Sequence, residues 1–141
     1  MGRPFTSEDA RAVGLTYKQL RSSAYRRLFH DVYVDATEPD SVELRAAAIG
    51  LVLPDGAVVG LTAAAWLHGA DVRDRRCDDI EVIAQRGDQI RRAGIAATSA
   101  LLAPDDATEV LGIPVTTPTR TAFDLARRRD LIEAVVGIDA M

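Results

Sequence analysis

Apolar positions recur with a helical spacing at the start of the chain and with shorter spacings further on. Ala10 and Val13, three residues apart, give a first helix a small apolar face. Either Thr6 or Ser7 can cap its N-terminus, and Gly14 can end it because glycine readily adopts the left-handed conformation. The pattern therefore predicts a short helix followed by a tight turn.

A second helix is predicted over residues 17–24, with Thr16 as its cap and Leu20 facing inward. Two short helices joined by a glycine-containing turn form the helix-turn-helix plan. The outward side of this helix is polar, with side chains suited to contacting base edges and phosphates. These candidate DNA-binding residues are Thr16, Lys18, Gln19, Arg21 and Ser22.

Residues 25–34 are rich in β-branched and aromatic side chains, which predicts two short strands with a bend near His30 and Asp31. Arg26 and Arg27 would lie at the base of this wing and contact phosphate. The apolar residues of the hairpin are expected to close a small core over the two helices: Leu28, Val32 and Val34. The sequence thus predicts a winged helix-turn-helix over residues 1–37.

A linker-like cluster at residues 38–41 marks the start of a second unit, residues 38–141. Its pattern alternates between apolar helices and short strands, which predicts a small α/β domain with a short mixed sheet and flanking helices, and an α+β chain as a whole. The expected helices cover residues 42–53, 61–69 and a last region that opens at Thr117 and Pro118, and the expected strands lie at 57–60, 80–83, 95–98 and, around Gly112, within 109–116.

Charge is distributed unevenly along the 141 residues, although the net charge is only −4. Residues 1–35 carry six basic and four acidic side chains, a net charge of +2, whereas the remainder carries 11 basic and 17 acidic ones, a net charge of −6. Residues 16–29 contain four basic side chains and no acidic one. A local basic patch on an acidic protein indicates a polyanionic partner at one end, although short basic stretches also occur simply as solvated surface.

Composition and cysteine content exclude several classes of protein. A hydrophobic content of 48% with 27% charged residues is typical of a folded soluble domain. Cys77 is the single cysteine, which excludes an internal disulfide and a cysteine-rich zinc site. Neither a signal peptide nor an apolar run of membrane-spanning length is visible, so we expect a cytoplasmic protein without membrane association.

Other groups that could carry chemistry favour structural interpretations. His30 and His68 are far apart in sequence and lack cysteine partners, and His68 fits a helix C-terminal cap better than a metal ligand. A cluster of carboxylates just before and on one predicted strand could hold a divalent metal. A nuclease would also need a lysine just after the cluster, and a nucleotidyltransferase would need a Gly-Ser before it; neither is present. This favours a solvated loop and strand edge. This cluster is Asp78, Asp79 and Glu81. We therefore predict no cofactor, no metal and no catalytic site.

The front segment resembles the N-terminal winged helix of the AbiEi antitoxin family. The resemblance rests on these pieces of sequence, in chain order: Thr6-Ser7-Glu8-Asp9-Ala10, Gly14-Leu15-Thr16, Leu20, Arg26-Arg27-Leu28-Phe29 and Val32-Tyr33-Val34. The chain departs from the family pattern at His30 and Asp31, where Arg-Gly is usual. This change removes one cation and adds an acid, so it should weaken contact with phosphate.

The second segment also resembles AbiEi-type proteins, in three stretches: residues 61–69, 80–82 and 112–126. The last stretch is the most distinctive, because a strand enters a helix through a Thr-Pro-x-Arg-Thr-x-x-Asp pattern. On that helix Arg120 and Asp124 are four residues apart and can pair, and a structural role for them is expected. Trp66 is expected in the core.

The resemblance implies an antitoxin of a type IV toxin–antitoxin system that represses its own operon by binding inverted repeats in promoter double-stranded DNA. Its counterpart would be a nucleotidyltransferase-like toxin with which it forms no stable complex. An alternative is a non-catalytic remnant of a fusion to an endonuclease resembling very-short-patch repair enzymes. The chain ends at residue 141 inside an expected helix, which indicates a truncated domain without the nuclease-like part.

Overall fold

A computed structural model describes residues 2–70, 79–84 and 90–128 of the protein. These residues form five α-helices, eight β-strands and a 3-10 turn, arranged around two sheets. In chain order the elements are β1 (Phe5–Thr6), α1 (Ser7–Ala12), α2 (Tyr17–Leu20), β2 (Tyr25–Phe29), β3 (Val32–Asp35), α3 (Val42–Gly50), β4 (Val58–Val59), α4 (Leu61–Leu67), β5 (Ile80–Ala84), β6 (Ile95–Ser99), the 3-10 turn Pro104–Asp106, β7 (Ala107–Val110), β8 (Ile113–Thr116) and α5 (Pro118–Arg128). The α+β class predicted from the sequence is confirmed.

Local sequence determines where the first two helices begin. Thr6 caps α1 and Thr16 caps α2, each as one half of a capping box whose other half is Asp9 or Gln19. Gly14 lies between the helices with φ of 86°, the left-handed conformation expected of it. The starts of the two helices and the glycine turn that joins them therefore follow from two capping boxes and one glycine.

The second helix is shorter than predicted, because α2 ends at Leu20 and Arg21 is its C-cap. The prediction of a helix through residue 24 was wrong. The Ser22 hydroxyl donates a hydrogen bond to the Gln19 carbonyl at 2.6 Å, and its oxygen accepts from the Ala24 amide at 3.4 Å. A serine that bonds nearby backbone groups in this way competes with helix continuation.

Strands β1, β3 and β2 form an antiparallel sheet in that spatial order, with Phe5 opposite Tyr33 and Thr6 opposite Val32. The turn between β2 and β3 lies at His30 and Asp31, where the sequence predicted a bend. Asp31 has φ of 61°, and its carboxylate accepts a hydrogen bond from the Ser7 amide at 3.3 Å. The hairpin turn is thus joined to the start of α1.

The two faces of this small sheet pack differently from the prediction. Tyr33, rather than its neighbours, packs over the helices together with Ala10 and Leu20, and Phe5 adds a ring 6.3 Å from that of Tyr33. Side chains alternate along a strand, so the residues on either side of Tyr33 face the opposite way. The expectation that the hairpin residues cover the helices was therefore wrong: Leu28, Val32 and Val34 lie in the main core. Val13, predicted on the apolar face of α1, is 72% exposed.

The main core crosses the boundary predicted between residues 37 and 38. Val32 from the hairpin packs in one continuous apolar cluster with Leu44 of α3 and Trp66 of α4. The ring of Phe29 meets that of Trp66 edge to face, with centroids 5.3 Å apart. The front unit is therefore joined to the rest of the described chain by buried apolar contacts.

The second sheet is mixed and has the spatial order β6-β5-β4-β8-β7. Strand β4 pairs antiparallel with β5 and parallel with β8, and β5 pairs parallel with β6. Strand β5 is an interior strand, so the strand-edge position expected for Glu81 was wrong. Gly112, with φ of 81°, forms the turn between the antiparallel strands β7 and β8, as expected.

The helices of the second unit begin where predicted. Ser41 caps α3, but that helix ends at Gly50, three residues earlier than predicted. Helix α5 begins at Pro118, after Thr117 accepts a hydrogen bond from the Arg120 amide at 3.2 Å. The sequence leaves open a break of this last helical region into two helices near residue 129, and that position and residue 141 lie outside the described residues. None of the described helices combines the length and the apolar character that crossing a membrane requires.

Candidate nucleic-acid interface

The polar side chains predicted on the second helix share one exposed surface. Thr16, Lys18 and Gln19 lie at the start of α2 or on it, and Arg21 and Ser22 follow it; all five are exposed. Leu20 is buried beneath them, at 4% exposure, and anchors the helix to the small core. This surface, formed by residues 16–22, is called the α2 face below.

The capping box at the start of α2 restricts what Gln19 can contact. Its Oε1 atom accepts hydrogen bonds from the Thr16 amide at 2.7 Å and from the Thr16 hydroxyl at 3.1 Å. In return, Thr16 Oγ1 accepts from the Gln19 amide at 3.2 Å. The amide oxygen of Gln19 is thus engaged within the helix, and its NH2 group is the part that can be offered outward.

Arg21 packs over an exposed aromatic ring. Its guanidinium carbon lies 5.7 Å from the centroid of Tyr17, which is 66% exposed. A cation–π contact of this kind orients the guanidinium without removing it from solvent. Together with Lys18, Arg21 makes the α2 face cationic.

The structure places the two arginines of β2 in different environments. Arg26 is half-buried, and its Nη2 donates to the Glu38 carbonyl at 2.8 Å, so it binds the segment that leads into the second unit. Arg27 is exposed; its Nε donates to the Phe29 carbonyl at 3.1 Å, and its Nη2 lies 3.4 Å from His30 Nδ1. Arg26 and Arg27 therefore do not lie together as a pair of exposed phosphate-binding side chains.

A buried arginine that the sequence analysis missed holds the connection between the units. Arg45 is 7% exposed and donates to both carboxylate oxygens of Asp40, at 3.1 and 2.6 Å. Its Nη1 donates to the Trp66 carbonyl at 2.7 Å, and the guanidinium lies 4.6 Å from the Trp66 ring centroid. The hydrogen bond from Arg45 holds the pKa of Asp40 below its ordinary value, with a further contribution from the positive charges of Arg45 and Arg26.

Arg120 and Asp124 form an ion pair on α5, with Arg120 Nε 3.0 Å from Asp124 Oδ2. Arg120 Nη1 also donates to the Leu101 carbonyl at 3.2 Å and to Asp106 at 3.1 Å. The pKa of Arg120 is raised, chiefly by its hydrogen bond to Asp124. Asp124 is completely buried, and its Oδ1 has no hydrogen-bond partner among the described residues. These hydrogen bonds join α5 to residues 101–106, which lie between β6 and β7.

The remaining candidates are dispersed. Glu81 accepts a hydrogen bond from the Thr62 amide at 3.2 Å, and Asp79 is exposed. His68 is the C-cap of α4, and its Nε2 donates to the Thr116 carbonyl at 2.8 Å. Asp78 and Cys77 lie outside the described residues. Among residues 2–70, 79–84 and 90–128, no group of three or more metal-ligating side chains comes together.

The second unit corresponds to a known protein family. The model of the AbiEi antitoxin C-terminal domain matches residues 57–141, which is more than half of the chain. The match begins just before β4 and includes all of the second sheet, together with α4 and α5. No curated protein matches the chain. By its family match, the chain belongs to the AbiEi antitoxin family.

Proposed function

We propose that the chain is the antitoxin of a type IV toxin–antitoxin system and that its front unit binds double-stranded DNA to repress its own operon. Membership in the AbiEi antitoxin family supports the antitoxin role. DNA binding is argued from residues 2–35, which precede the family match. The counterpart is a nucleotidyltransferase-like toxin, and the proposal assigns no catalytic step to the chain.

The observation that carries the DNA-binding proposal is the combination of strand order with an exposed cationic helix. Two short helices lie between β1 and a β2–β3 hairpin, with β3 central in the sheet, and this order supports the proposal of a winged helix. In such domains the second helix contacts the major groove. Here that helix carries Lys18 and is followed by its C-cap Arg21, and no carboxylate occurs between residues 16 and 29.

The geometry of the α2 face also restricts the bases it can select. Because Gln19 Oε1 is held by Thr16, Gln19 can only donate, and it cannot form the two-bond contact with adenine that needs both its oxygen and its nitrogen. Acceptors at the groove edge, such as guanine O6 and N7, fit such a donor. A helix of one turn contacts few base pairs, so dimers or repeated sites are expected.

Binding of the intact chain to a labelled duplex from upstream of its own coding sequence tests this proposal. Fluorescence anisotropy would be measured between about 50 and 200 mM salt, because phosphate contacts make affinity salt-dependent. Lys18→Ala combined with Arg21→Ala should weaken binding about tenfold or more. Arg127→Ala combined with Arg128→Ala, on α5, removes the same charge and is the matched control. Wild-type affinity in the Lys18/Arg21 variant would refute the assignment of the α2 face.

The antitoxin role has a separate test in living cells. The chain is co-expressed with a candidate toxin, a nucleotidyltransferase-like protein whose expression alone stops growth. Restored growth with the wild-type chain, and also with the DNA-binding variant, would support an antitoxin activity that resides in the second unit. Growth arrest that the chain does not relieve would contradict this role.

A further inference from the structure

A turn of the second unit packs directly against the tip of the front hairpin. The turn before β6 is closed by a hydrogen bond from the Ile95 amide to the Arg92 carbonyl at 3.1 Å. A Cβ placed on Gly94 would lie 2.8 Å from Cβ of His30, and Gly94 has φ of 84°. Only a residue without a side chain permits this approach, so the hairpin tip and the turn lie side by side.

This packing places a segment of the second unit that carries exposed arginines next to the hairpin tip. Arg91 and Arg92 immediately precede the turn and are both exposed. Arg27, also exposed, lies on the other side of His30, with its Nη2 3.4 Å from the imidazole Nδ1. Arg27, Arg91 and Arg92 are called the hairpin arginines below.

Among the described residues, two carboxylates adjoin the segments that carry the hairpin arginines. Asp31 follows His30 and accepts a hydrogen bond from the Ser7 amide. Asp79 is exposed and precedes Ile80, whose amide donates to the Gly94 carbonyl at 2.8 Å. Removal of the Asp79 charge would therefore make the surroundings of Arg91 and Arg92 more positive.

We propose that the DNA-binding surface extends from the front unit onto the second unit, where Arg91 and Arg92 contact the phosphate backbone. This inference rests on the proposed DNA-binding function and adds two contacts outside the winged helix. Phosphate contacts supply most of the sequence-independent affinity and position a protein on the duplex. The one-turn helix α2 has little room for such contacts, and the hairpin arginines provide them beside the wing.

The experiment compares three variants of the intact chain on the same upstream duplex. Arg91→Ala combined with Arg92→Ala should reduce the slope of log affinity against log salt by about 1.8, since each phosphate contact contributes about 0.9. Asp79→Asn should act in the opposite direction and strengthen binding, because it removes a repelling charge. The Arg127/Arg128 double alanine variant again provides the control with equal charge removal.

The outcomes separate this inference from the one on which it rests. If the wild-type chain does not bind the duplex, both proposals fail. If the wild-type chain binds and the Lys18/Arg21 variant weakens binding, an unchanged salt slope in the Arg91/Arg92 variant overturns the extension alone. An equal loss of slope in the Arg127/Arg128 control would also overturn it, because the effect would then come from net charge. Loss of slope confined to Arg91/Arg92, together with tighter binding by Asp79→Asn, supports it.

Discussion

Replacing Arg120 by methionine tests whether the ion pair on α5 stabilises the family domain. Asp124 is fully buried, and the Arg120 guanidinium is the group that neutralises it at 3.0 Å. Removal of one partner of a buried pair costs about 3–5 kcal/mol, because the other charge stays buried without compensation. The hydrogen bond from Arg120 to the Leu101 carbonyl is lost as well. We expect Arg120→Met to lower the free energy of unfolding by about 4 kcal/mol.

The double variant Arg120→Met/Asp124→Leu distinguishes the charge from the packing. Replacing a buried pair by apolar residues of similar volume is often neutral or stabilising. Relative to Arg120→Met alone, the double variant should therefore recover most of the lost free energy, although Asp106 still loses its own contact with Arg120. The single change Asp124→Leu should cost less than Arg120→Met, since Arg120 keeps Asp106 as a partner.

Urea unfolding followed by far-UV circular dichroism measures these differences. With a slope of about 2 kcal/mol per molar urea, a loss of 4 kcal/mol moves the midpoint down by about 2 M. A double variant as unstable as Arg120→Met would refute the reasoning, because the cost would then come from lost packing and not from an uncompensated charge. A midpoint for Arg120→Met equal to that of the wild-type protein would refute it as well.

Three further changes test other contacts. Arg45→Met should lower the free energy of unfolding by about 2–3 kcal/mol, measured by urea unfolding, because the charged hydrogen bonds of Arg45 to the Trp66 carbonyl and to Asp40 are lost; a loss under about 0.5 kcal/mol would contradict this. Since Arg45 lowers the pKa of Asp40, that carboxylate adds stability above about pH 4, and the contribution is lost as the pH falls through the lowered pKa. Thermal unfolding from pH 7 to pH 3 should therefore show a smaller acid loss in Asp40→Asn than in the wild-type protein, and equal losses would refute the linkage. Gly94→Ala should lower the melting temperature through its φ of 84° and its clash with His30 Cβ, and the loss should be smaller when His30→Gly has removed that Cβ; equal losses in the two backgrounds would mean that the clash contributes nothing.

Much of the local structure was predictable because it depends on neighbouring residues. Thr16 and Ser41 cap helices because their hydroxyls reach amides three residues later. Gly14 and Gly112 mark turns because the backbone there needs positive φ. The short strand β1 was not predicted, since two residues become a strand only by pairing with β3, more than twenty-five residues away.

The parts that could not be predicted depend on long-range packing. Alternation along β3 separates Tyr33 from Val32 and Val34, but it does not say which side faces the helices. Arg45 gave no signal, because a charged residue on an alanine-rich helix is ordinarily solvated. Its acceptor at Trp66 lies 21 residues further along the chain. The sequence predicted which residues form the candidate interface. It could not predict that Arg26 is half-buried or that the segment with Arg91 and Arg92 packs next to the hairpin, because both depend on the three-dimensional arrangement.

Residue-resolved NMR of the intact 141-residue chain titrated with its upstream duplex tests the central claim most directly. We expect amide shifts to concentrate on the α2 face, at the hairpin turn near His30 and in the segment before β6, while the amides of β7 stay unchanged. Shifts concentrated on α5 and β7, or no shifts at all, would contradict it.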